Sequence, residues 1–110
     1  MIAYLSHDEV NSALARRIAR RLGFKLKPLS HKDAKLVSAA NGLVLDLDNL
    51  PSEYKSKLFL QIDAGVLRPG LAVHSYHLSH VEARTLRAAG VRVTRRLTSG
   101  LFGAAVSRNG

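Results

Sequence analysis

The feature that most constrains this chain is an alternation. Apolar runs too short for helices are separated by segments whose apolar residues recur at helical spacing, and each junction carries a turn or cap signal. A chain that changes period in this way builds a parallel sheet with crossover helices. Ile2-Ala3-Tyr4-Leu5 reads as a first strand buried on both faces. From Val10, Leu14, Ile18 and Leu22 recur every four residues while Arg16, Arg17, Arg20 and Arg21 fall on other faces, which predicts an amphipathic helix stopped by Gly23. Phe24 to Leu29 alternates apolar residues with Lys25 and Lys27 and carries Pro28, the pattern of an edge strand. A short helix over His31 to Ala39 ends at Asn41-Gly42, and Leu43-Val44-Leu45 closes a central strand on Asp46.

Pro51 or Ser52 opens the next helix, with Tyr54, Leu58 and Ile62 on one face and Glu53 placed to pair with Lys57. Gly65 ends it, Arg68-Pro69-Gly70 turns the chain, and Leu71-Ala72-Val73 forms a fourth strand. A helix over His80 to Ala89 stops at Gly90, and Val91 begins the fifth strand. The fold class is therefore α/β: a three-layer, doubly wound, five-stranded parallel sheet in flavodoxin-like order 2-1-3-4-5. Thr98 to Gly110, with Gly100 and Gly103 inside it, is a poor helix former, so the last helix is expected to be weak or short and one sheet face thinly covered.

At 110 residues the chain is expected to be a single domain over residues 1–110. With 46% hydrophobic and 23% charged residues it has the balance of a soluble globule rather than a disordered chain. The absence of cysteine excludes a disulfide framework, a thiolate metal site and a Cys nucleophile. No apolar run approaches bilayer length, and the first residues do not read as a signal peptide, so the expectation is a cytoplasmic protein with no membrane partner.

One local pattern occurs three times: Ser6-His7-Asp8-Glu9, Ser30-His31-Lys32-Asp33 and Ser79-His80-Val81-Glu82 each follow a predicted strand and open a predicted helix. Each Ser reads as an N-cap, with Glu9 and Glu82 completing capping boxes. Capping leaves the recurrent His at the first helical position unexplained. In a parallel sheet these junctions share the carboxyl edge, so His7, His31 and His80 project from one rim, joined by His74 and His77 after the fourth strand. Solvated loop histidines, a metal site drawing on His74, His77 and His80, and anion or pH sensing are the competing readings.

Asp46 and Asp48 lie just past the central strand, where open α/β sheets place their chemistry. Two nearby carboxylates there could hold Mg2+ or share a proton. Through Gly42-Leu43-Val44-Leu45-Asp46-Leu47-Asp48-Asn49-Leu50-Pro51, Leu71-Ala72-Val73-His74-Ser75 and the run from Glu82 to Val91, the chain resembles the receiver domain of bacterial two-component response regulators over nearly its full length. The resemblance implies a phospho-accepting Asp at the end of strand three, which falls on Asp46 with Asp48 as a rival, and a switch hydroxyl that falls on Ser75. It also implies an acid pair for Mg2+ that falls here on Ser6 and His7, and a Lys whose place is taken by Arg95. Replacing two acids by Ser and His removes most of the oxygen ligands for the metal that would neutralise a transferring phosphoryl group. The resemblance therefore implies a degenerate pocket of Ser6, His7, Asp46, Asp48, Ser75 and Arg95 that is not catalytic and needs no cofactor.

With 17 Lys+Arg against 8 Asp+Glu the formal charge is +9. The excess concentrates on Arg16, Arg17, Arg20 and Arg21, and again on Arg84, Arg87, Arg92 and Arg96. The leading expectation is a non-catalytic receiver-like signalling or scaffolding module, dimerising or docking a protein through the fourth predicted helix, the fifth strand and the tail. A basic module for nucleic acid or another polyanion, without sequence preference, is the alternative. A receiver phosphorylated on Asp46 is the third reading.

Overall fold

The computed structural model of the chain describes residues 2–29, 42–66 and 70–101. In chain order its elements are β1 (Ile2–Leu5), α1 (Glu9–Leu22), β2 (Leu26–Leu29), β3 (Gly42–Asp46), a 3-10 turn (Leu47–Asn49), α2 (Ser52–Ala64), β4 (Leu71–His74), α3 (His80–Ala88) and β5 (Arg92–Thr94). The strands form one all-parallel sheet in the order β2-β1-β3-β4-β5, as the alternation predicts. The expected helix from His31 to Ala39, the caps Ser30 and His31, and the tail after Leu101 lie outside the described residues.

Period-2 alternation of β1 sends Ile2 and Tyr4 to one face and Ala3 and Leu5 to the other, and each set joins a different core. The larger core packs Leu43, Leu45, Leu71 and Val73 against Leu58 of α2 and Leu86 of α3. The smaller one packs Ile2, Tyr4, Val44 and Ala72 against Ala15 of α1 and Leu101. Register places Leu5 beside Leu29 and Leu45, and Asp46 beside His74, so the carboxyl ends of the three inner strands finish together. Gly23 and Gly65 close α1 and α2 in the left-handed region, at φ 79° and 69°, where a side chain would be strained.

Two expectations about packing change. The buried face of α1 is formed by Ala15 and Ala19, with Ile18 partly covered, whereas Val10, Leu14 and Leu22 are exposed. Small side chains let the helix lie close to the sheet, and this governs the face more than the greater hydrophobicity of leucine does. On α2 the described ion pair is Lys55 to Glu82 of α3 at 2.6 Å rather than an i,i+4 pair within the helix. Residues 97–101 are helical, in the stretch where a weak or short last helix is expected. Gly100 explains the close seat of this segment: a Cβ there would lie 3.1 Å from Thr94 Oγ1 and 3.8 Å from His74 Cβ, and Leu101 behind it is fully buried.

Candidate functional site

The carboxyl end of β3 delivers Asp46 into the interior with only 1% of its surface exposed. Burying a carboxylate requires donors, and three converge on one oxygen. Ser6, just past β1, donates its hydroxyl to Asp46 Oδ2 at 2.8 Å. Asn11 on the first turn of α1 donates its side-chain amide at 3.0 Å, and Asn49 at the end of the 3-10 turn does so at 2.9 Å. The other oxygen, Oδ1, faces His74 Nε2 at 3.7 Å. Asp46 thus ties together the β1–α1 junction, α1 and the turn that follows its own strand.

His74 is the last residue of β4 and is 4% exposed, not a loop histidine on the rim. Its ring stacks on Tyr4 at a centroid distance of 5.6 Å and an interplanar angle of 4°, and its Nε2 is 2.8 Å from the Tyr4 hydroxyl. Burial favours the neutral imidazole and pushes the His74 pKa below its usual value, outweighing the opposite pull of Asp46 and Asp48. Burial likewise holds the Tyr4 phenol protonated far above its usual range, reinforced by the charge of Asp46. Tyr4, His74, Asp46 and Ser6 form one buried polar chain inside an otherwise apolar sheet.

Asp48 occupies different surroundings. It is exposed, and its carboxylate accepts the Ser75 hydroxyl and, at 2.8 Å, the Tyr76 amide. Ser75 Oγ in turn accepts the His77 amide at 3.1 Å, so the pair pins the loop after β4 to the turn after β3. The two predicted acids therefore do not share a site: Asp46 is an internal node and Asp48 a loop clasp.

The predicted cap of α1 is corrected. Ser6 is turned inward to Asp46, and its oxygen accepts the Asp8 amide at 2.9 Å. Asp8 is the N-cap, with Oδ1 accepting from Val10 at 2.9 Å and Asn11 at 3.2 Å. His7 consequently precedes the helix rather than opening it, is exposed, and donates its amide to the Asn49 carbonyl at 2.9 Å. At α3 the Ser79–Glu82 capping box forms as expected, with His80 as the first helical residue. Asp8→Ala is expected to cost about 1 kcal/mol and Asp8→Asn only a few tenths in urea unfolding. Equal stability of Asp8→Ala and the parent would show that the helix is capped elsewhere.

Among the described residues no group of three or more His, Cys, Asp or Glu side chains is arranged to hold a metal ion. His74 faces Tyr4 while His77 and His80 are exposed, so their regular spacing does not become a cluster. Nor do the residues present fit a divalent cation beside Asp46: the Ser6 hydroxyl and the two amides occupy Oδ2, and the Asp8 carboxylate is engaged at the helix start. Arg95 lies exposed beyond β5, and no described hydrogen bond or ion pair joins it to Asp46. Tyr4, Asn11 and Asn49 are the members of the site that sequence reasoning missed. Asn11, a weak helix former inside a first turn, and Asn49 after Asp46-x-Asp48 were the available signals. Among the described residues no helix is long and apolar enough to cross a membrane. No family model, curated protein or solved structure matches the chain.

Proposed function

We propose that this domain is a receiver-like signalling or scaffolding module that works through protein contacts and is not phosphorylated. The observation that carries this reading is the saturation of Asp46 Oδ2 by Ser6, Asn11 and Asn49 in a residue only 1% exposed. An acceptor carboxylate must present an oxygen in line with the transferring phosphorus, and the negative charges that approach there must be offset. Here the donors around Asp46 are hydroxyl and amide groups, which hold a carboxylate in place but carry no charge with which to draw in a phosphoryl group. The same contacts suit a structural node that keeps the β1–α1 junction and the turn after β3 in one arrangement.

The protein-contact surface we assign is the edge formed by α3, β5 and the segment after it, the region expected from the sequence to dimerise or dock a partner. β5 is the short outer strand of the sheet, and the exposed Arg84, Arg95 and Arg96 lie along this side. The test has two parts. Incubation with acetyl phosphate or beryllofluoride and Mg2+ is expected to add no mass and to leave the amide spectrum unchanged. A phosphoryl adduct that disappears in Asp46→Asn would overturn the reading. Sedimentation equilibrium with Arg95→Glu/Arg96→Glu is expected to shift any self-association of the parent, and a parent that stays monomeric across the concentration range removes the homodimer form and leaves a heterologous protein.

A further inference from the structure

The described segment from Val10 to Leu29 holds six cations and no acid. Arg16, Arg17, Arg20 and Arg21 are exposed on the last two turns of α1, Lys25 is exposed just before β2, and Lys27 is exposed on it. The helix macrodipole accounts for part of this, because cations are favoured near its C-terminal end, where Arg20 and Arg21 lie. It does not reach Arg16 and Arg17, nor the lysines beyond the helix. No ion pair engages any of the six among the described residues, where Lys55 pairs with Glu82.

The shape and composition of this surface select among polyanions. Two cavities of the domain are lined by other segments, around His7–Val10 with Asn49–Pro51 and around Arg87–Thr94 with Ser99–Gly100. The four arginines stand exposed on the outer, convex surface of a helix, which suits an extended charged surface better than a short acidic peptide. A membrane would favour large apolar residues on this face. Instead Arg17 lies opposite the buried Ala15 and Ala19 with Arg20 and Arg21 on either side of it, and the most exposed apolar residue, Val10, lies a turn or more toward the N-terminus. Phe24, the aromatic residue of the segment, packs into the core, so there is no platform on which unpaired bases could stack. What is left is two rows of guanidiniums, Arg16 with Arg20 and Arg17 with Arg21, the members of each row one turn and about 6 Å apart. Their planar forks match phosphate oxygens.

We infer that the C-terminal half of α1 together with Lys25 and Lys27 is a docking surface for the phosphate backbone of double-stranded nucleic acid, read without sequence preference. The surface uses none of the Asp46 pocket and stands or falls apart from the receiver-like reading. Four to six phosphate contacts make affinity fall roughly 10²–10³-fold between about 50 and 200 mM salt.

Fluorescence anisotropy with two short duplexes of unrelated sequence tests the assignment. The parent is expected to bind both with similar affinity and with that salt dependence. The variant Arg16→Gln/Arg17→Gln/Arg20→Gln/Arg21→Gln is expected to lose at least tenfold in affinity with an unchanged thermal melt. The charge-matched variant Ser52→Glu/Ser56→Glu/Lys57→Glu, at exposed positions of α2 and likewise lowering the net charge by about four, is expected to stay within about threefold, because screening makes the local cluster matter more than net charge. Absence of binding at the lower salt, equal losses in the two variants, or binding to phosphatidylserine vesicles but not to duplex would each overturn the inference.

Discussion

Asp46→Ala is expected to lower stability by about 3 kcal/mol, a fall in Tm of roughly 10–20 °C, whereas Asp46→Asn stays within about 1 kcal/mol of the parent. The two differ because the intact carboxylate nearly balances itself. Removing it from water costs several kcal/mol, and three hydrogen bonds to a charged acceptor return about 1.5–3 kcal/mol each. Truncation does not simply cancel that balance. It leaves the Ser6 hydroxyl and the amides of Asn11 and Asn49 facing a void, and each donor left without an acceptor in the interior costs about 1–3 kcal/mol. Asn11 and Asn49 are only half-buried and regain some water, which keeps the sum near the lower end.

Asparagine keeps an acceptor at the Oδ2 position for all three donors. It turns its amide toward the place now held by Oδ1, where His74 Nε2 lies 3.7 Å away. Urea unfolding of the two variants beside the parent measures the difference. Equal stability of Asp46→Ala and Asp46→Asn would show that Asp46 is not the node described here. The comparison also separates a structural role of Asp46 from a phospho-acceptor role, since Asp46→Asn removes any acceptor of a phosphoryl group at this position while preserving the hydrogen-bond network.

How much of this was legible in the sequence depends on the range of the interaction. The runs Ile2–Leu5, Leu43–Leu45 and Leu71–Val73 are apolar throughout because both faces are covered, and that pattern together with Gly23 and Gly65 is enough to order the sheet. The inward face of α1 was misread because spacing by four drifts around the helix and because leucine outranks alanine in hydrophobicity. Contact with a sheet rewards the smaller residue instead. The cap was misread for a different reason. Ser6 and Asp8 are both good N-cap residues, and what decides between them is a hydrogen bond to Asp46, forty residues along the chain. The roles of Tyr4 and His74 were hidden in the same way, since a tyrosine in a strand and a histidine at a strand end look ordinary until register brings β1 and β4 to opposite sides of β3.

That register has a pH consequence at His74. Stability is expected to decline as the pH falls below about 6.5, by up to about 1.4 kcal/mol per pH unit from this residue, and His74→Gln is expected to remove that part of the slope. The sign follows from proton counting. In the folded protein burial keeps His74 neutral below its usual pKa, while in the unfolded chain the imidazole takes up its proton near 6.5. Over the window between these two values the unfolded state binds more protons, so acid favours unfolding. The contribution is fully present above the unfolded value and is lost as the pH falls through the folded one. Tyr4 bounds the opposite side: its phenol is held protonated in the folded protein, so its contribution is present below about 10 and is lost as the pH rises beyond it.

The acid-side effect is read most directly from the His74 ring resonances during a pH titration, with urea midpoints at neutral and mildly acidic pH as the stability measure. Asp46→Asn sharpens the test, because Asp46 pulls the His74 pKa upward against the larger effect of burial. Removing its charge is expected to lower the His74 pKa further and to shift the acid loss to still lower pH. A His74 that titrates at or above 6.5 in the folded parent would mean that the imidazolium is accommodated beside Asp46. The Tyr4–His74 stack would then be held by an ion pair rather than by the neutral hydrogen bond assigned to it here.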